Sequence, residues 1–225
     1  MVAKKFNRLA SVLDALEKQY GAPKSPRGVR TAFEWILWEK IAYLADDERR
    51  ANSFRALSAS IGTTPRAILA ASKATLAGVA CGMHPERSAV ELKLCADIAE
   101  REHGGDLDAF LSREPKRALA ALKKYPGIGE PGAEKILLFT ERVALPALEL
   151  NGVRVLLRLG FAREGKSYTA TYKALGAAIL PECKLEFDWL ARMHRLLRHH
   201  GQTLCKNSRP SCDACPLETG CDFVR

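Results

Sequence analysis

The sequence lacks the features of a membrane or secreted protein. None of its 225 residues belongs to a run approaching the ~18 consecutive apolar residues that a membrane span needs. Residues 1–6 lack the apolar segment of a signal peptide. Outside one region cysteine is sparse, and Cys81, Cys95 and Cys183 lie among apolar residues, as expected of buried thiols. These absences predict a protein of the reducing cytoplasm with no membrane partner.

Strand signals are missing as well. Runs rich in Val, Ile and Thr do not occur, and neither internal repeats nor low-complexity tracts are present. Apolar residues instead recur at helical spacing, as in residues 5–19, where Leu9, Val12, Leu13 and Leu16 form one stripe. Thr64-Pro65 marks a helix start, and Gly104-Gly105 marks a helix end. The pattern predicts an all-α protein.

Acidic residues are outnumbered by basic ones. The 35 Lys and Arg exceed the 26 Asp and Glu, which gives a formal net charge of +9. This excess favours a polyanionic partner such as nucleic acid or an anionic membrane, although charge alone also fits a merely soluble basic protein. Residues 189–200 contribute a basic edge, with Arg192, Arg195 and Arg198 at three-residue spacing. His194, His199 and His200 lack the partner spacing of a metal site and are expected to be structural.

Four cysteines lie close together near the end of the sequence. Cys205, Cys212, Cys215 and Cys221 have the spacing C-x6-C-x2-C-x5-C. Disulfides are disfavoured in a reducing compartment. Structural zinc sites usually take their ligands in two close pairs, whereas only Cys212 and Cys215 form such a pair. The spacing therefore favours a [4Fe–4S] cluster, whose thiolates approach from separate directions, and leaves zinc open.

A glycine-rich turn lies between two predicted helices. Gly127 and Gly129 allow a tight turn whose backbone N–H groups converge. The helix that begins near Pro131 adds its positive N-terminal end. Converging N–H groups at a helix start form a site for one phosphate. Contacts of this kind position a protein on DNA without reading its sequence. Glycines alone are weak support, because any turn between helices can use them.

Taken together, these motifs resemble the endonuclease III family of DNA glycosylases in the helix-hairpin-helix superfamily. The string Pro-Gly-Ile-Gly-x-x-x-Ala-x-x-Ile-Leu, residues 126–137, resembles the hairpin of that family. The four cysteines after His200-Gly201 resemble its cluster loop, and residues 147–160 resemble the segment that carries its catalytic aspartate. The resemblance implies a [4Fe–4S] cluster on Cys205, Cys212, Cys215 and Cys221.

The same resemblance implies a two-lobed all-α fold and a DNA partner. The expected lobes are a helical barrel of residues 32–147, with its hairpin near 122–139, and a cluster lobe of 1–31 and 148–225. Double-stranded DNA is expected across the cleft between them, bound by a monomer at the nucleoid, with the target base flipped out. The residues expected to bind DNA are Lys124, Gly127, Ile128, Gly129, Asn151, Lys206 and Arg209.

The catalytic positions depart from the family pattern. Bifunctional members have a lysine two positions after the second hairpin glycine, where it attacks the sugar C1′. This chain has Pro131 there, and Lys135 could substitute only if the turn were reshaped, so we expect no lysine-dependent lyase activity. Glu149 stands where the family has its aspartate, with the same charge on a longer side chain. The alternative is that Glu149 has a structural role, in which its negative charge stabilises the start of a helix.

Glu39 is a second catalytic candidate. Residues 31–45 are apolar almost all round and predict a buried helix, with Trp35 one turn before Glu39 and Tyr43 one turn after it. A carboxyl in apolar surroundings suits a general acid, and adenine-removing relatives keep a glutamate near this position. The alternative is a structural glutamate paired with Arg or Lys. Leu44 falls where relatives insert a side chain into the gap left by a flipped base, or it is a core residue.

Three functions follow from this reading. The first is a monofunctional DNA glycosylase of base-excision repair, which hydrolyses the N-glycosidic bond of a damaged or mispaired base through Glu149 and Glu39. The second is a non-catalytic protein of the same fold that recognises DNA lesions or structure, because both usual catalytic residues are replaced. The third is a zinc-stabilised DNA-binding regulator.

Overall fold

The computed structural model describes residues 9–43 and 45–224, and helices dominate them. Leu44 and the first four residues of the predicted helix 5–19 lie outside the described residues. The helices are α1 Leu9–Tyr20, α2 Ala32–Lys40, α3 Asp47–Ser60, α4 Pro65–Ala70, α5 Lys73–Val79, α6 Pro85–His103, α7 Leu107–Arg113, α8 Pro115–Leu122, α9 Glu130–Phe139, α10 Leu150–Arg158, α11 Tyr168–Ile179 and α12 Phe187–Thr203. The all-α prediction is confirmed. No helix in the described part combines the length and apolar character needed to cross a membrane.

The chain divides into two compact units. The hairpin unit is Ser25–Val143, and the cysteine unit is Met1–Lys24 together with Ala144–Arg225. Each unit has its own buried apolar core. The candidate residues of the hairpin therefore belong to one unit, and the four clustered cysteines belong to the other.

In the hairpin unit α2 lies at the centre and packs on α6, α7 and α9. A capping box begins it, because the Thr31 hydroxyl accepts from the Glu34 N–H and the Glu34 carboxylate accepts from the Thr31 N–H. The helix ends at Lys40, so the predicted helix 31–45 is too long. Ala42–Tyr43 (β1) instead pairs in parallel with Cys81–Gly82 (β2). Tyr43 is therefore not one helical turn beyond Glu39 but on a strand, 51% exposed.

In the cysteine unit α12 packs on both α1 and α10. The predicted stripe of Leu9, Val12, Leu13 and Leu16 is fully buried. Arg192 of α12 donates to Asp14 Oδ1 at 2.8 Å and to Glu17 Oε2 at 2.7 Å. One member of the predicted basic edge thus holds α1 in place instead of facing solvent.

Helices α10 and α12 approach each other most closely at Gly201. A Cβ at this glycine would lie 2.6 Å from the Asn151 Cβ and 2.9 Å from the Asn151 carbonyl oxygen. Backbone cannot yield as a flexible side chain can, so only glycine fits. The packing of α12 therefore fixes the start of α10, where Glu149 and Asn151 lie.

We expect Gly201→Ala to lower the free energy of unfolding by roughly 1–3 kcal/mol, because its methyl group overlaps backbone atoms. The matched control is Gly176→Ala in α11, where a Cβ would meet no atom within 4 Å. That change should stabilise by about 0.5–1 kcal/mol through helix propensity. Urea unfolding followed by circular dichroism measures both, and a Gly201→Ala protein as stable as the parent would contradict the close packing.

Candidate functional site

The turn between α8 and α9 presents backbone donors at its surface. Gly127, at φ +66, and Gly129 are both exposed, and their N–H groups find no acceptor among the described residues. Ile128 is 5% exposed, and its N–H donates to the Tyr125 carbonyl at 3.0 Å. Ile128 therefore supports the turn from inside, while the two glycines offer N–H groups to an outside ligand next to the N-terminal end of α9.

Lysines surround this turn. Lys124 Nζ lies 2.6 Å from Glu102 Oε2, and Lys123 Nζ lies 3.7 Å from Glu130 Oε2. Lys40 is only 8% exposed, and a Cβ at Gly127 would overlap its ammonium group. Sequence reasoning missed Lys40, although a lysine inside an apolar helix was a visible signal. Its charge lies directly beneath the exposed glycine turn.

Glu39 does not lie in apolar surroundings. Its Oε1 is 2.5 Å from Lys135 Nζ and 3.8 Å from Arg50 Nη1. Arg50 also donates to the carbonyls of Trp38 and Ala42. The predicted apolar environment is wrong, because cations from other segments of the chain converge on this carboxylate. The alternative of a paired glutamate is the observed one.

Glu149 caps the start of α10 with both carboxylate oxygens. Oε1 accepts from the Gly152 N–H at 2.8 Å, and Oε2 accepts from Asn151 Nδ2 at 2.9 Å. The Asn151 Oδ1 in turn accepts from Arg154 Nη2 at 2.8 Å. The carboxylate is half-buried and held in one orientation. The side chain of Asn151 is thus engaged within the unit.

Two arginines of α10 bind the cysteine loop, residues 205–221. Arg154 donates to the carbonyls of Gly201 at 2.7 Å and Cys205 at 2.9 Å. Arg158 lies 3.3 Å from the Cys205 sulfur and donates to the Lys206 carbonyl at 2.8 Å. One turn of helix separates the two arginines, so both guanidinium groups reach the same loop.

All four clustered cysteines line one cavity, which is partly open to solvent. The rest of its lining consists of Arg158, Leu204, Pro210, Ser211, Glu218, Phe223 and Val224. Backbone N–H groups of the loop point at the sulfurs, with Leu217 donating to Cys215 and Phe223 to Cys221, while burial raises the pKa of both thiols. A bound metal would hold them as thiolates regardless of that shift.

This donor set fits a cluster with several metal corners. The cysteines are free thiols, as the argument against disulfides expected. Within residues 9–43 and 45–224 no three His, Cys, Asp or Glu side chains converge on a point that would hold a single ion. The four thiols line one cavity, and cysteine thiolates are the ligands that hold [4Fe–4S] clusters. Of the other cysteines, Cys95 is buried as expected, but Cys81 and Cys183 are partly exposed.

Lys206 and Arg209 lie on the exposed surface of the cysteine loop. Among the described residues neither forms an ion pair with a carboxylate. Arg209 adopts φ +55, a conformation that non-glycine residues rarely occupy. The loop thus presents two basic side chains to solvent.

Comparison with known proteins agrees with these features. No protein-family model matches the chain. Endonuclease III of Rickettsia felis is 33% identical over 102 residues, 45% of this chain and 45% of that protein. The match thus spans about half the length of such curated relatives. Over that part of its length the chain is similar to endonuclease III.

Solved structures share the helical fold of this chain. The protein of a trapped endonuclease III–DNA covalent intermediate superposes with a TM-score of 0.71 at 20% identity, covering 96% of this chain and 95% of the other. A thermostable thymine-DNA glycosylase gives a TM-score of 0.74 at 14% identity, covering 96% of both chains. At these identities the likeness establishes the helical fold.

The Glu39–Lys135 pair is expected to be structural. Glu39→Gln and Lys135→Met should each lower the free energy of unfolding by about 1–3 kcal/mol, because each leaves a half-buried charge without its partner. The double variant should lose clearly less than the sum. Asp97→Asn, which breaks an exposed pair with Arg101, is the control and should cost under about 1 kcal/mol. Strictly additive losses in urea unfolding would contradict the pairing.

Proposed function

We propose that this protein is a DNA glycosylase of base-excision repair that hydrolyses the N-glycosidic bond of a damaged or mispaired base. The observation that carries the proposal is Glu149, a carboxylate fixed by two hydrogen bonds at the start of α10. The likeness to endonuclease III and to a thymine-DNA glycosylase supports it. Duplex DNA with a flipped-out base is the substrate, bound by a monomer.

Glu149 acts on the sugar as the base departs. Positive charge develops on the deoxyribose during this step, and a fixed carboxylate stabilises it or orients the attacking water. Each carboxylate oxygen keeps a second lone pair beyond the hydrogen bond it already accepts. Asn151 and the Gly152 N–H hold the orientation, which matters because displacements of ~1 Å cost rate. Asn151 therefore serves Glu149 in addition to any contact with DNA.

The reaction leaves the abasic strand intact. Pro131 offers no amine, and Lys135 is held in an ion pair with Glu39, so neither residue supplies the nucleophile that lyase chemistry requires. Glu39 is likewise engaged by Lys135 and Arg50, so we do not assign it the role of proton donor to a leaving base. We therefore assign Glu39 to holding Lys135 and Arg50, in place of the general acid expected from sequence.

Two surfaces bind the DNA backbone. At the hairpin, the N–H groups of Gly127 and Gly129 donate to the oxygens of one phosphate, with the charges of Lys124 and Lys40 close by. On the cysteine loop, exposed Lys206 and Arg209 contact further phosphates. Neither surface reads base sequence, which fits an enzyme that must search many sites.

The cavity lined by Cys205, Cys212, Cys215 and Cys221 holds a [4Fe–4S] cluster, with one thiolate for each iron. When bound, the cluster supplies rigidity to the loop and takes no part in base hydrolysis. Arg158 and the backbone N–H groups of the loop neutralise part of the negative charge on the sulfurs. The loop then holds Lys206 and Arg209 in place.

The activity is tested by incubating the purified protein with duplexes that carry assorted lesions and mismatches, followed by hot alkali. We expect strand breaks only after alkali, because the product is an uncleaved abasic site. Glu149→Gln should reduce base release at least ~100-fold while DNA affinity stays within a few-fold, since it removes charge at the sugar but no phosphate contact. Glu164→Gln, an exposed change in the same unit, is the control. Breaks without alkali would overturn the monofunctional assignment.

A non-catalytic lesion-binding protein is the second candidate. It is favoured by the fact that both oxygens of Glu149 already accept hydrogen bonds from its own helix start. The same panel separates the two functions. Tight preference for a lesion with no base release from any substrate would establish binding alone.

The cluster is tested by colour and metal content. Protein prepared without oxygen should be brown, absorb at about 400 nm and contain about four irons per chain. Cys212→Ser should lose colour and iron, because one corner ligand is replaced, whereas Cys183→Ser should keep both. A colourless protein with one zinc per chain would identify the zinc-stabilised alternative.

A further inference from the structure

A pair of hydrogen-bonded side chains leads from α1 to the cysteine cavity. The hydroxyl of Tyr20 lies 2.7 Å from His200 Nδ1, and His200 Nε2 lies 3.6 Å from the Cys215 sulfur. His200 is 1% exposed. All three residues belong to the cysteine unit, although Tyr20 and His200 are 180 positions apart in sequence. The imidazole therefore has one nitrogen for each of two partners.

The chemistry of a metal-bound sulfur fixes which nitrogen carries a hydrogen. A thiolate has lone pairs and no proton, so it can only accept. A favourable contact at 3.6 Å thus requires an N–H at His200 Nε2. This holds whether the ring is neutral or charged, because an imidazolium carries a hydrogen on both nitrogens. The assignment is independent of the ring's titration.

Tyr20 orients the ring that makes this contact. With the hydrogen of a neutral imidazole on Nε2, Nδ1 is an acceptor, and the Tyr20 hydroxyl donates to it. The Thr203 hydroxyl lies 2.8 Å from the His199 carbonyl oxygen and 3.3 Å from the Tyr20 oxygen, and it forms no hydrogen bond with His200 Nδ1. The edge of the His199 ring packs on Tyr20 with centroids 4.7 Å apart, which limits the freedom of the tyrosine.

His200 differs from the other donors at the cysteine sulfurs. The N–H groups of Leu217 in the cysteine loop and of Phe223 just after it are backbone donors, and Arg158 reaches the Cys205 sulfur from a half-exposed position. His200 comes from α12, below the loop, and is fully shielded from water. A hydrogen bond in such surroundings has a larger electrostatic effect than one at the surface.

We propose that His200, oriented by Tyr20, donates a hydrogen bond to the Cys215 sulfur of the bound cluster and thereby sets its reduction potential. The proposal rests on the [4Fe–4S] cluster of the proposed function. A donor at a ligand sulfur withdraws negative charge, so it stabilises the electron-rich state and raises the potential. The bond therefore opposes oxidation, which is the step that exposes such clusters to loss.

The experiment uses the full chain, prepared without oxygen, and measures iron content before any other property. Iron-loaded His200→Leu should have a lower reduction potential by voltammetry, equivalent to about fivefold more oxidised cluster at a fixed applied potential. Its absorbance at about 400 nm should also bleach faster in air. His200→Gln keeps an N–H donor and should restore much of the parent potential.

Tyr20→Phe removes one hydroxyl and leaves the ring in place. It should shift the potential in the same direction by a smaller amount, whereas Tyr168→Phe, an exposed position in α11, should leave it unchanged. If His200→Leu fails to load iron, the Tyr20→Phe result decides. An iron-loaded His200→Leu or Tyr20→Phe protein with the parent potential would overturn this inference and leave the proposed cluster unaffected. A parent protein without iron would overturn the cluster itself and this inference with it.

Discussion

The guanidinium of Arg154 is the contact on which the geometry of the cysteine unit depends. It bonds simultaneously to Asn151, to the carbonyl of Gly201 in α12 and to the carbonyl of Cys205. The carboxylate of Glu149, the end of α12 and the first residue of the cysteine loop are thereby joined at one charged group. A displacement at any of these positions shifts the others, because the planar guanidinium donates its hydrogen bonds in fixed directions. Gly201 makes this possible, since any side chain there would separate α12 from α10.

The hairpin unit depends on charges in unusual places. Lys40 and the Glu39–Lys135–Arg50 group lie at or near the end of α2, a helix that is otherwise apolar. Burying such groups is costly unless they are paired, and Lys40 meets Glu91 at 3.4 Å. The position of Lys40 against the glycine turn gives a reason for the cost of burying it. An ammonium group beneath Gly127 adds positive charge at the surface where a phosphate is proposed to bind.

The replacements at the catalytic positions are consistent with one another. Pro131 carries no amine, and the lysine of α9, Lys135, is paired with Glu39. The carboxylate at position 149 is retained as glutamate and is held as firmly as a helix cap can hold it. In the function we propose, such a site stabilises a sugar cation and forms no covalent imine. The proposed hydrolysis without strand cleavage follows from that combination.

The sequence alone determined the helical class, the glycine turn and the shared region of the four cysteines. Each depends on residues close together in the chain, such as Thr64-Pro65 at the start of α4 or Gly104 at the end of α6, so local periodicity and spacing suffice. The tertiary structure decided which charges meet. Glu39 was expected among apolar residues because its sequence neighbours are apolar, yet its partner Lys135 is 96 positions away. The end of α2 and the contact between Tyr20 and His200 likewise depend on segments that only folding brings together. Contacts between residues that are far apart in the chain leave no pattern in a single sequence. The chemistry of each candidate site depends on those contacts.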